Sequence, residues 1–186
     1  MFDYVFYKTK LPEKVISSVI DELQITEEQM STGAVGSSND IKHNTRNSRV
    51  CFLDSTNWMS GFVYHYIMKS NQSNFKYDIL GYDGNKIQYS EYRKDCFYDW
   101  HIDYQGGNVD NEYDRKLSFS LQLSDPNDYE GGQLQLMDSC TNKCYFAPEE
   151  RGTLVVFDSK IKHRVRKVKS GIRKSLVGWV IGPRYK

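Results

Sequence analysis

Leu117-Ser118-Phe119-Ser120-Leu121-Gln122-Leu123-Ser124 alternates apolar and polar side chains at every step. Successive side chains of an extended chain point to opposite faces, so this run predicts a β-strand with one buried face. The turn-forming residues Asp125-Pro126-Asn127 close it. Outward from it lie further short strand-like runs at 87–92, 133–137, 153–157, 161–168 and 175–181. Turn-rich pieces such as Gly106-Gly107-Asn108 and Gly131-Gly132 separate them. The two adjacent glycines predict a turn that needs positive φ or a close backbone approach.

Ahead of about residue 77 the texture is different. Pro12 suits a helical first turn, and Val15, Ile16, Val19, Ile20 and Leu23 form one apolar helical face. A polar stretch at 31–48 reads as loop with some strand. Ser55 or Thr56 would cap a second helix burying Trp58, Phe62, Val63, Tyr66 and Ile67. Helices followed by many short strands predict an α+β protein with helices packed outside a β-sandwich or barrel. No repeat or linker divides the chain, so residues 1–186 read as one domain. Helical support would cover about 1–75 and the barrel about 77–183.

Composition narrows the class. The chain has 186 residues, with 39% hydrophobic and 14% aromatic residues, enough for a packed core. A net charge of +1 does not fit a generic nucleic-acid binder, and no apolar run is long enough to span a membrane. Without a secretory leader pattern at Met1-Phe2-Asp3-Tyr4, the expected location is cytoplasmic. Cys51, Cys96, Cys140 and Cys144 are then expected to be reduced thiols, and Cys140-x-x-x-Cys144 lacks the second ligand pair of a structural zinc site.

The charge is unevenly spread. Residues 160–186 hold ten Lys/Arg and no Asp/Glu, so the remainder is acidic. Such a run forms a solvated face or a rim that attracts an anionic substrate or acidic partner. Lys162, Arg164 and Arg166 alternate with Ile161, His163 and Val165. This turns the basic residues outward and His163 inward, an unusual setting for a histidine.

Of the four histidines, His43 lies in a polar loop and His65 in a helix pattern, neither of which predicts chemistry. His101-Ile102-Asp103 is different. On a strand, residues two apart share a face, so imidazole and carboxylate can converge. A second imidazole from a neighbouring strand would complete a two-histidine, one-carboxylate set suited to non-haem Fe(II), and His163 is the best third ligand.

The surrounding motifs carry a resemblance. Tyr92-x5-Tyr98-Asp99-Trp100-His101-Ile102-Asp103-Tyr104, Arg115-x-Leu117-Ser118, Tyr129-Glu130-Gly131-Gly132, Gly152-Thr153-Leu154, His163-Arg164-Val165, Gly171-x-Arg173-x-Ser175 and Gly178-Trp179 follow in order over about half the chain. The pattern resembles the 2-oxoglutarate- and Fe(II)-dependent oxygenases, most closely the prolyl 4-hydroxylase catalytic domain and the related microbial PKHD-type hydroxylases. The resemblance implies a double-stranded β-helix, or jelly roll. It makes His101, Asp103 and His163 the iron ligands. Arg173 becomes the grip on the distal carboxylate of 2-oxoglutarate, where collagen-type prolyl hydroxylases carry lysine. Ser175 would share that carboxylate, Tyr92 and Tyr98 would contact the co-substrate, and Arg115, Trp179 and Tyr98 would line the substrate pocket.

The activity so implied is hydroxylation of a C–H bond, foremost of a prolyl residue in a protein or peptide. O2 is consumed, succinate and CO2 are released, and ascorbate is an expected accessory. A free amino acid or another small molecule is the alternative substrate; nucleic acid and membrane are not expected partners. Two other readings share the site: a non-catalytic metal or 2-oxoglutarate sensor, and a zinc hydrolase, which needs a general base near the metal. The segments 31–48 and 104–114 are candidate lids.

Overall fold

The computed structural model describes residues 3–8, 11–34, 42–104 and 112–185. In chain order the strands are β1 (Tyr4–Tyr7), β2 (Ser31–Thr32), β3 (Arg46–Asn47), β4 (Arg49–Asp54) and β5 (Gly81–Tyr82). Then follow β6 (Lys86–Tyr92), β7 (Phe97–His101), β8 (Tyr113–Gln122), β9 (Tyr129–Gly131) and β10 (Leu134–Met137). The last are β11 (Cys144–Phe146), β12 (Leu154–Asp158), β13 (His163–Val165), β14 (Val168–Gly171) and β15 (Arg173–Pro183). Helices α1 (Glu13–Leu23) and α2 (Trp58–Ser70) precede most of them.

The larger sheet runs β1-β12-β8-β15-β6-β4-β2, with β5 also paired to β15; the smaller runs β11-β10-β13-β7-β3, and β14 pairs β9. Within these sheets the pairs that build the site, β15–β8, β15–β6 and β13–β7, are antiparallel. Residues before 75 thus supply strands to both sheets as well as the two helices.

The alternation of β8 explains the layering. Leu117, Phe119 and Leu121 enter one hydrophobic cluster with Leu154 and Val156 of β12, Leu176 and Val180 of β15, Ile16 and Val19 of α1, and Met59, Val63 and Ile67 of α2. The helices therefore cover the apolar face of the larger sheet. Val155 and Phe157, the alternate residues of β12, join Tyr92, Leu134, Leu136 and Val165 in a second cluster that ties the larger sheet to the smaller. Burial of two separate faces of one sheet is what lets its strands carry a polar set inward without losing the core.

Three expectations are corrected. The α2 cap is Asn57, whose Oδ1 accepts the Met59 N–H at 3.0 Å, and not Ser55 or Thr56. Its buried face is Met59, Ser60, Val63, Ile67 and Ser70; Phe62 and Tyr66 are half-buried and Trp58 is exposed. The hydroxyl of Ser60 turns back onto the Ser55 and Asn57 carbonyls, so a small polar residue fits against the sheet. Residues 161–168 are not one strand. β13 pairs with β7 and β10, and the chain then crosses to pair β14 with β9, so Arg166 and Lys167 form the break. The basic run is correspondingly divided among tasks. Arg164 stacks over Trp100 at 4.6 Å, Lys169 pairs with Glu130 at 2.6 Å, and Arg173 is buried.

At Gly131 and Gly132, φ is +80° and +70°, as the doublet predicted. A Cβ on Gly131 would lie 2.3 Å from the Lys167 carbonyl oxygen, so close passage of the crossing chain excludes any side chain. All four cysteines are free thiols. Among the described residues, no helix is long and apolar enough to cross a membrane.

Candidate active site

His101 ends β7 and His163 begins β13, and the antiparallel register sets them directly opposite each other. Their ring centroids are 4.1 Å apart. Each Nδ1 meets a backbone carbonyl two residues back: Asp99 O at 2.7 Å for His101 and Ile161 O at 2.9 Å for His163. With Nδ1–H donating there, each Nε2 presents its lone pair to the space between the rings. The expected strand carries His101 but stops there, and Asp103 lies just beyond it. Its backbone N–H donates to Ser159 O at 3.0 Å, which turns the carboxylate back under the imidazoles. His101 Nε2 lies 3.6 Å from Asp103 Oδ1, and His163 Nε2 lies 3.3 Å from Oδ2. All three ligand atoms fall within 4.8 Å of one another.

Burial, reinforced by the neighbouring His163, pushes His101 down to about 3, so its imidazole is neutral at ordinary pH. For Asp103, burial opposes charge. The two imidazoles and hydrogen bonds from Trp179 and Ser118 outweigh it and hold the carboxyl below its ordinary value. A neutral nitrogen donor opposite a second imidazole, with an anionic oxygen donor between them, suits a divalent first-row metal bound from one side. The other side faces a cavity of about 630 Å³.

The sequence-predicted residues largely meet in that cavity. Arg173, Ser175, Tyr92, Tyr98, Arg115 and Trp179 all line it with His101, Asp103 and His163. Arg173 begins β15 opposite Tyr92 and is only 4% exposed. Its Nη1 donates to Ser175 Oγ at 3.4 Å, and it hydrogen-bonds the Tyr129 hydroxyl, which also accepts from Gln122 Nε2 at 2.9 Å. Among the described residues no carboxylate is within ion-pair distance of Arg173. A buried guanidinium held only by neutral groups is costly unless an anion joins it, so this end of the cavity fits a carboxylate.

Tyr98 stacks flat on His101, with centroids 3.5 Å apart and planes 13° from parallel. Burial is the main cause pushing its phenol up to about 12. Arg115 is engaged on several sides. Nε and Nη2 each lie 2.6 Å from Asp83 Oδ2, Nη1 is 3.5 Å from the Asp103 carbonyl, and the guanidinium stacks 4.1 Å over Trp179. The indole of Trp179 bonds the Asp103 carboxylate, a supporting contact that strand periodicity alone does not reveal.

His43 and His65 are exposed and outside the cavity lining, as expected. Ser31, Thr32, Ala34 and Tyr104 line the cavity, while 35–41 and 105–111, the centres of the two candidate lids, lie outside the described residues. The sequence reading missed Arg46. This arginine of β3 sits opposite Tyr98, is 6% exposed and lines the cavity. Asp103 is the only carboxylate among the described lining residues, so the general base required of a zinc hydrolase is not found there.

Comparison with known proteins agrees with this geometry. The family model described as the 2OG-Fe(II) oxygenase superfamily matches residues 87–181, just over half the chain. A PKHD-type hydroxylase of Synechococcus elongatus is 30% identical over 131 residues, covering 69% of this chain and 58% of that protein. The chain therefore spans under two thirds of the length of that relative. Among solved structures, a Pseudomonas putida prolyl-4-hydroxylase superposes with a TM-score of 0.73 at 21% identity, over 99% of this chain and 94% of that one. A Trichoplax adhaerens prolyl hydroxylase, solved with a hypoxia-inducible-factor peptide fragment, gives 0.79 at 19% identity, over 97% and 84%. At these identities the structural likeness establishes the shared fold.

Proposed function

The chain belongs to the 2OG-Fe(II) oxygenase superfamily, and from that premise we propose that it is a 2-oxoglutarate-dependent dioxygenase hydroxylating a C–H bond, foremost of a prolyl residue in a protein or peptide. The observation that carries the reading is the convergence of His101, Asp103 and His163 on one point in a cavity whose wall holds buried, acid-free Arg173. On this reading the two sheets close a jelly roll within one domain, with the site between them.

Bound Fe(II), 2-oxoglutarate and O2 supply the oxidising chemistry, releasing succinate and CO2, with ascorbate as an accessory reductant. The protein supplies position and exclusion. The carbonyls of Asp99 and Ile161 fix both imidazole tautomers, so His101, His163 and Asp103 hold the metal from one side. Arg173 and Ser175, backed by Tyr129, grip the distal carboxylate of 2-oxoglutarate, and the planar guanidinium suits a two-pronged contact. Tyr92 packs beside it, with Arg173 Cζ 5.7 Å from the ring centroid. Tyr98, Arg115 and Trp179 form the substrate side, while Phe157 packs against His163 and Leu134 lies beside Arg173, where they help exclude water.

The PKHD-type likeness supports hydroxylation, and the prolyl-hydroxylase likenesses support the prolyl preference. A cavity of this volume also suits a free amino acid or similar small molecule.

Anaerobic titration of the metal-free protein with Fe(II) and then 2-oxoglutarate tests the assignment. The expected result is a weak visible charge-transfer band that disappears in His163→Ala. A protein that binds the metal but gives no band would overturn the oxygenase reading.

A further inference from the structure

We propose that Arg46 is a specificity residue that pairs with a carboxylate of the molecule to be hydroxylated, so that the preferred substrate is anionic beside its reacting carbon. This names the substrate class of the site and rests on the oxygenase reading above.

Arg46 is nearly buried, yet its side-chain partners are neutral. Nε donates to Ser48 Oγ at 2.8 Å and Nη1 to Ala34 O at 2.8 Å. The guanidinium lies over the Tyr98 ring, with Cζ 4.6 Å from the centroid. His101 occupies one face of that ring at stacking distance, so the guanidinium takes the other. It is held rigidly one aromatic thickness from a metal ligand. A Cβ on Gly33 would fall 2.5 Å from Arg46 Nε and 2.4 Å from Ser48 Oγ, so the backbone closes over the arginine at a residue without a side chain.

Burial and pairing together set this arginine apart. Arg115 is neutralised by Asp83, Arg49 and Arg93 by Glu27 and Glu91, and Arg151 by Glu13, while Arg164 is half-buried and Arg166 and Arg184 are exposed to water, leaving Arg46 and Arg173 as the buried ones. Among the described residues no carboxylate reaches Arg46. The only carboxylate on the described cavity wall, Asp103, is committed to the histidines. In the loaded site, a divalent metal, Asp103, doubly anionic 2-oxoglutarate and Arg173 sum to zero, and the Arg115–Asp83 pair adds none. Among the described lining residues, the charge of Arg46 is the one left uncompensated. Desolvating a guanidinium without a counter-ion is unfavourable, and a bidentate carboxylate would satisfy it. Such a carboxylate belongs either to a free amino acid or to an acidic residue next to the target in a peptide.

Two matched probe pairs test this by calorimetric binding to anaerobic protein carrying Fe(II) and saturating 2-oxoglutarate, which occupies Arg173. They are L-proline against L-prolinamide, and the α-amide of N-acetyl-prolyl-glutamate, with its side-chain carboxylate free, against the α-amide of N-acetyl-prolyl-glutamine. At least tenfold tighter binding of the carboxylate-bearing member is expected in one pair, and that pair identifies the carboxylate's source. Arg46→Gln should bring the two members within twofold, and Arg46→Lys should keep part of the preference if the glutamine variant folds poorly. The visible 2-oxoglutarate band should persist in both variants. Equal or absent binding of both members in both pairs, or a preference that survives Arg46→Gln, would overturn the proposal while leaving the oxygenase reading intact. Absence of the band in the wild-type protein would instead remove the reading beneath it, and this proposal with it.

Discussion

Trp179 shows how much a single residue adds to the metal-binding set. Its indole N–H meets the Asp103 carboxylate while its ring supports Arg115. Trp179→Phe keeps most of the surface and removes the hydrogen bond. Fe(II) affinity, measured by anaerobic titration, should fall roughly 10- to 100-fold, the usual effect of losing an outer-sphere partner. Arg173→Ala should raise the 2-oxoglutarate concentration for half-saturation about 100-fold, as expected when a buried charged pair loses one member. Protonation acts on the metal-free protein too. His101 falls from an ordinary 6.5 to about 3 in the folded protein, so the unfolded chain binds the extra proton between those values. Stability of the metal-free protein should therefore drop as pH falls through that window, with depressed Asp103 adding loss at still lower pH. Melting curves from pH 7 to 4 should show this slope, flattened in His101→Gln. The convergence of His101, Asp103 and His163 was legible because a His-x-Asp pair and an inward-facing histidine are unusual in themselves. Arg46 was not, because the absence of an acid beside it is a property of the folded neighbourhood.

At the scale of elements, turns and caps govern where the strands deliver their side chains. Gly131→Ala would force a Cβ onto the Lys167 carbonyl at 2.3 Å. It should cost about 1–3 kcal/mol, read as a lowered Tm, with the loss centred on the β9–β14 pair. Asn57→Ala should cost about 1 kcal/mol by removing the α2 cap. The glycine doublet was legible because only glycine tolerates such an approach. The α2 cap was not, since Ser55, Thr56 and Asn57 are all good caps in succession, and which one starts the helix depends on where the chain leaves β4. The break after β13 did leave a mark in the sequence, which a single strand over 161–168 passes over. Alternation fails at Arg166 and Lys167, two exposed residues in a row between buried Val165 and Val168, where the backbone changes partners from β10 and β7 to β9.

Across the whole molecule, the helices and the larger sheet share one core, so neither is stable apart from the other. A fragment of residues 77–186 would bare Leu117, Phe119, Leu121, Leu154, Val156, Leu176 and Val180 to water. It should bind a hydrophobic dye strongly and elute as an aggregate in size-exclusion chromatography, while the full chain does neither. The presence of two helices and many short strands was visible in their separate periods, but β1 and β4 were not, because they lie in the part of the chain where the helical pattern dominates. The two-sheet pairing was not, because strand partners far apart in sequence leave no local trace.

The two faces of β8 carry one last implication. Leu117, Phe119 and Leu121 belong to the shared core, whereas Ser118 and Gln122 hydrogen-bond the groups around the cavity and Ser120 lines it. Evolution can therefore retune the pocket from this strand most freely at Ser120, because a change at Ser118 or Gln122 also disturbs the contacts behind Asp103 and Arg173, and a change at Phe119 disturbs the core it shares.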